Sequence, residues 1–264
     1  MNLKLSTGIV GLGVLALASG VAQAQDQGQL AAQAAGPAAY AGTSFGSPIA
    51  YGAQWRDVGV ALYGQTLHND STQREDGAMG VGFGIGDADK YVALETDVGI
   101  ASLAHRNGLN FGDAGSLGFK LHTNLPYGSA FAVGVVGTGR WGPESFRDSN
   151  VASVYAVGTK VFSVGNHALV ANLGIGDGQF QKIDNSTGQI RSGANVFGGL
   201  SYYITRQVSV ITDYTGRYFN AALSVAPIPS IPLTLTLGAV NINHADIEAN
   251  TKGHTQLAGT LGYG

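Results

Sequence analysis

The chain has 264 residues, a net charge of −3 and no cysteine, and only 12% of its residues are Asp, Glu, Lys or Arg. This balance argues against nucleic acid as a partner, and it leaves stability to packing or closure in place of disulfides. A charged share about half that of ordinary globular proteins suits a chain whose largest surface meets lipid.

Residues 1–24 read as an export signal. Lys4 supplies a basic start, Ile9 to Leu17 is apolar, and Ala22-Gln23-Ala24 fits the small-x-small cleavage rule, with Gln25 as the mature N-terminus. The apolar run is shorter than the roughly 20 residues of a helical span, and no later segment supplies one. Residues 25–56, beginning with an Ala/Gln/Gly-rich stretch that includes AAQAAGPAAYAG, have no strand period and are expected to form a periplasmic lead-in, flexible or with a short Ala-rich helix, and the sequence leaves open whether it plugs the barrel.

From Asp57 onward the period is two. Met79, Val81, Phe83 and Ile85 alternate with Gly80, Gly82, Gly84 and Gly86; Leu117, Phe119 and Leu121 alternate with Ser116, Gly118, Lys120 and His122. Leu233, Leu235 and Leu237 alternate with Thr234 and Thr236, and Leu257, Gly259, Leu261 and Tyr263 alternate to the end. About twelve strands are predicted, near 57–65, 76–86, 90–101, 115–125, 130–140, 152–162, 167–176, 194–204, 207–215, 218–226, 231–241 and 254–263.

The connections are sorted by length. Long ones (68–76, 105–114, 141–151, 177–192) alternate with short ones (87–89, 126–129, 163–166, 205–206), and Gly216-Arg217-Tyr218 alone breaks the order by being short on the long side. Outer-membrane barrels keep tight turns on the periplasmic side and longer loops outside. The predicted fold is therefore all-β, an antiparallel up-and-down transmembrane barrel over residues 57–264, in the bacterial outer membrane.

Charges inside predicted strands should face the bore, because Arg or Lys toward lipid at mid-depth costs about 2–4 kcal/mol. The lumen-facing candidates are Glu95, Asp97, Lys120, His122, Arg140, Lys160 and Asp213. Strands three and four are neighbours, so Glu95 or Asp97 could meet Lys120. The six histidines lack metal-ligand spacing, and the glycine runs lack the strand-turn-helix context of a dinucleotide site. Gly42-Thr43-Ser44-Phe45-Gly46 matches the hydrolase elbow GxSxG without the strand and helix that chemistry needs. No catalytic, cofactor or metal residue is predicted.

Three segments, GVGFGIGDADKYVALETDVG, GDAGSLGFKLHTNLP and ITDYTGRYFNAALSVAPIPSIPLTLTLG, carry a resemblance. They resemble uncharacterised secreted proteins of cyanobacteria and, more distantly, the barrel repeats of exopolysaccharide-associated outer-membrane proteins. The resemblance implies an outer-membrane β-barrel and carries no functional residue with it. The expected role is a porin-like passive channel or a structural, export-associated component, not an enzyme. Its expected partners are outer-membrane lipid and small solutes or exported polysaccharide. The alternatives are an enzyme at the barrel rim and a secreted soluble β-sheet binding module.

Overall fold

The computed structural model describes residues 39–66, 76–101, 103, 110–144, 147, 151–248 and 250–264. The export signal, the first part of the lead-in, His68 and His105 lie outside the described residues. The strands are β1 (Val58–Gln65), β2 (Asp76–Gly86), β3 (Ala93–Ile100), β4 (Gly115–Leu125), β5 (Ser129–Trp141), β6 (Ser153–Val164) and β7 (His167–Gly176), followed after a 3-10 turn (Gly178–Phe180) by β8 (Asn195–Thr205), β9 (Val208–Tyr214), β10 (Phe219–Val225), β11 (Leu233–Val240), β12 (Asp246–Glu248), β13 (Thr251–Lys252) and β14 (Gln256–Tyr263).

Twelve of these strands form one closed antiparallel barrel, the fold class the alternation predicts. Each strand from β1 to β11 pairs with its sequence neighbour, and β14 closes the seam between β11 and β1, with Tyr263 opposite both Leu233 and Val60. The remaining pair, β12 and β13, is a small separate ribbon in the last long loop. Closure leaves no unpaired edge, which a wall in lipid cannot tolerate.

Burial is inverted relative to a soluble protein. Leucine and aromatic side chains such as Leu62, Phe83, Leu121, Phe131, Leu173, Leu200, Leu223 and Leu237 are exposed on the outer surface. Ser201, Ser209, Asn220, Ser224 and Thr236 are completely buried on the inner one. On β4, Leu121 points out while Lys120 and His122 are buried. Strand alternation places one set toward lipid and the other toward the bore.

Candidate functional site

The bore is filled by the chain's own N-terminal segment. The sequence leaves open whether the lead-in of residues 25–56 plugs the lumen; its described part, from Ala39 onward, enters the barrel. It begins beside the short turns, where Ala39 N donates to Pro229 O (2.8 Å) and Ala41 N to Arg206 O (2.9 Å). It reaches its tip at Phe45 and Gly46, against Asp213 and Asn220 near the β9–β10 turn. It then returns to the short-turn end, where Trp55 N donates to Gly86 O (2.8 Å), and continues into β1. We call residues 39–57 the finger. Without a strand period it cannot join the wall, so its backbone groups must find partners among the polar residues lining the bore.

The tip is held by one carboxylate. Asp213 Oδ2 accepts from Phe45 N (2.8 Å), Gly46 N (2.7 Å), Ser47 N (3.3 Å) and Ser44 Oγ (3.2 Å). Its Oδ1 accepts from Asn220 Nδ2 (2.8 Å). The GxSxG match is thus the finger's tip, a turn wrapped around an anion. Phe45 is 1% exposed and packs with Tyr63, Ile211, Tyr218 and Val240.

The returning arm crosses the charges of β3 and β4. Lys120 Nζ lies 2.9 Å from Glu95 Oε1 and donates to Tyr51 O (2.7 Å). Glu95 Oε2 accepts from Ala53 N (2.7 Å), and His122 Nε2 donates to Ala53 O (2.8 Å). This ion pair therefore fixes the finger as well as spanning two strands, and burial makes it costly to break. Asp97, on the same inner face, is buried too. Further along, Thr159 Oγ1 accepts from Ala50 N, Asn172 Nδ2 donates to Pro48 O, and Ser209 Oγ donates to Gly42 O.

Space for the finger comes from glycine. A Cβ on Gly84 of β2 would meet the Ala53 carbonyl carbon at 2.2 Å, and one on Gly52 would meet Glu95 Oε2 at 2.5 Å. The Gly84–Gly86 end of β2 is the surface along which the finger leaves.

Two of the expected lumen residues lie at the rims. Lys160 shares its face with the exposed Val154 and Phe162, and its ammonium turns to the Tyr127 carbonyl and ring at the short-turn rim. The inner face of β6 carries Tyr155, Val157 and Thr159 instead. Those apolar residues pack on Ile49 of the finger and on Phe180, so polarity alone points to the wrong face. Arg140 follows Gly137 and Gly139, both at positive φ, where the β4–β5 register shifts. It donates through Nη1 to Arg147 O at the loop-side rim. Lys160 thus lies off the central bore, and Arg140 lies at its loop end.

The loop end is narrowed as well. Phe180, completely buried, stacks on Phe197 at 4.6 Å between centroids. Arg217 Nε donates to Gln181 O (2.8 Å), tying the short β9–β10 turn to the β7–β8 loop. Among the described residues no group of three or more His, Asp or Glu side chains is placed to hold a metal.

No protein-family model and no curated protein matches the chain. Among solved structures, the COG4313 outer membrane channel from Pseudomonas putida F1 is similar at 11% identity, with 78% of this chain and 94% of that chain covered and a TM-score of 0.44. LpxR from Salmonella typhimurium is similar at 10% identity, covering 78% of this chain and 99% of that one, with a TM-score of 0.34. The cyanobacterial and exopolysaccharide-associated resemblance expected from the sequence finds no support in these matches. The expectation that the chain is not an enzyme is withdrawn: LpxR, one of these barrels, is an outer-membrane enzyme. Both are outer-membrane barrels, and the closed antiparallel barrel of this chain stands on its own strand pairing.

Proposed function

We propose that this protein is a self-plugged channel of the bacterial outer membrane, closed by residues 39–57 and passing small hydrophilic solutes when that finger withdraws. The observation that carries this reading is the way the bore is filled. The finger is bonded to the wall through Asp213, Glu95, Lys120, His122, Thr159 and Asn172, all polar groups that a sealed, purely structural barrel could replace with packed hydrocarbon. Twelve strands give a bore wider than an eight-stranded, side-chain-filled barrel and narrower than a porin of about 16–18 strands. With the finger gone, the lining mixes Ser, Thr, Asn and charged groups with apolar patches on the inner face of β6 and at the Phe180–Phe197 pair. Lipid is the partner of the outer face, and small solutes are the partner of the inner one.

The test is electrical. The intact chain in a planar bilayer should be silent or open rarely. A variant lacking residues 40–52 should give steady, discrete conductance steps. If that variant folds into a heat-modifiable barrel and stays silent, the channel reading fails and the finger is a fixed core.

A further inference from the structure

A hollow of about 810 Å³ lies at the loop-side rim, on the outer surface of the barrel and away from the finger. That volume is within the range of about 300–1,000 Å³ common for small-ligand sites. Val154, Ala156 and Ile175 line it from β6 and β7, and Ile190 and Arg191 line it from the β7–β8 loop. Val154 and Ile175 are 56% and 50% exposed and continue the apolar face that Phe162 and Leu173 present further along the same two strands. The hollow is therefore the end of the lipid-facing band, roofed by a loop that carries a cation.

The acids around that cation are already engaged. Asp184 is 3.9 Å from Arg191 Nε, but its carboxylate also holds its own turn, accepting from Ser186 N (2.9 Å), Thr187 N (3.2 Å) and the Ser186 hydroxyl (2.5 Å). Asp177, which borders the hollow, accepts from Val154 N at 2.7 Å. The Arg191 guanidinium is exposed and only loosely paired. Its fork of donors matches a phosphate.

We propose that this hollow seats one membrane lipid, with an acyl chain against Val154, Ala156, Ile175 and Ile190 and an anionic headgroup on Arg191. The occupant is a lipid of the surrounding bilayer because the floor of the hollow is continuous with the surface that bilayer covers, and because the exposed Arg191 guanidinium, only loosely engaged by Asp184 at 3.9 Å, offers its donors to an anionic headgroup beside the hydrogen-bonded Asp177. The inference rests on the barrel spanning a membrane and is independent of whether the finger moves.

Native mass spectrometry of the detergent-solubilised full chain tests it, with phosphatidylglycerol and phosphatidylcholine of identical acyl chains as probes. The intact protein should retain one phosphatidylglycerol at several-fold lower lipid concentration than phosphatidylcholine. Arg191→Gln should abolish that preference. Ala156→Trp should remove the retained lipid of either kind, and Ile190→Asn, a change confined to the loop, should weaken it in a barrel with unaltered wall. Equal retention of the two lipids by the intact chain overturns the proposal, as do adducts that survive both Ala156→Trp and Ile190→Asn. Insertion of the same preparation into liposomes is the separate check on the membrane reading.

Discussion

Replacing Asp213 by Asn probes the hold on the finger directly. A hydrogen bond to a charged group contributes about 1.5–3 kcal/mol net. Two of those at Asp213 are short, from Phe45 N at 2.8 Å and Gly46 N at 2.7 Å, and two are longer. Asparagine keeps one acceptor oxygen but not the charge. Its NH₂ must then face either the finger's N–H groups or Asn220 Nδ2. Asn220 cannot simply turn over, because its Oδ1 already accepts from Asn241 N at 3.1 Å. Donor therefore opposes donor in either orientation. We expect a loss of about 2–4 kcal/mol in docking of the tip, which is a roughly 30- to 700-fold shift toward the released state. Hydrogen exchange at the Phe45 and Gly46 amides reads that shift, with protection falling by the same factor while amides of β9 and β10 keep theirs. Unchanged protection at the tip would refute the assignment of Asp213 as the latch.

Glu95→Gln strands the Lys120 ammonium in a buried site and should cost about 3–5 kcal/mol in thermal or denaturant unfolding of the detergent-solubilised barrel, whereas Glu95→Gln combined with Lys120→Met should recover most of it. Phe45→Ala should leave the wall folded but loosen the finger by about 3–5 kcal/mol, seen as protease cleavage within residues 39–52 that the intact chain resists. Gly84→Ala should push the Ala53–Gln54 backbone off β2, raising the frequency of channel openings without lowering heat-modifiability. At the rim, hydrogen bonds from Ser186 and Thr187 hold the Asp184 carboxyl at about 2, below its ordinary 3.8. A depressed carboxylate stabilises its loop above the unfolded value and loses that contribution as pH falls from about 4 through 2. Pepsin cleavage within 182–194 should therefore rise over that window, and Asp184→Asn should remove the pH dependence.

The wall was legible because it obeys a two-residue period that any lipid-facing strand must keep. Met79, Val81, Phe83 and Ile85 against four glycines, and the sorting of connections by length, are enough to give the strands and their closure. The finger was not legible, because its stability comes from no periodic pattern. The amides of Phe45 and Gly46 meet Asp213 across 168 and 167 residues, and a backbone donor leaves no trace in side-chain identity. The glycines of β2 and the small residues Gly42, Thr43, Ser44 and Gly46 were the available signal, since close approach of two backbones needs both surfaces bare. Lys160 shows how the hidden segment misleads. Tyr155 and Val157 face Ile49 and Phe180, so β6 is apolar on its inner side and its cation falls on the outer one.

Ala39 and Trp55 both lie at the same mouth of the cylinder, with the tip at the far end. A bight of rope dropped into a ring can be lifted out again without freeing either end, and the same topology applies here. In the proposed channel, withdrawal of residues 39–57 through that mouth parts no strand of the seam, so emptying and refilling the bore would leave the cylinder intact.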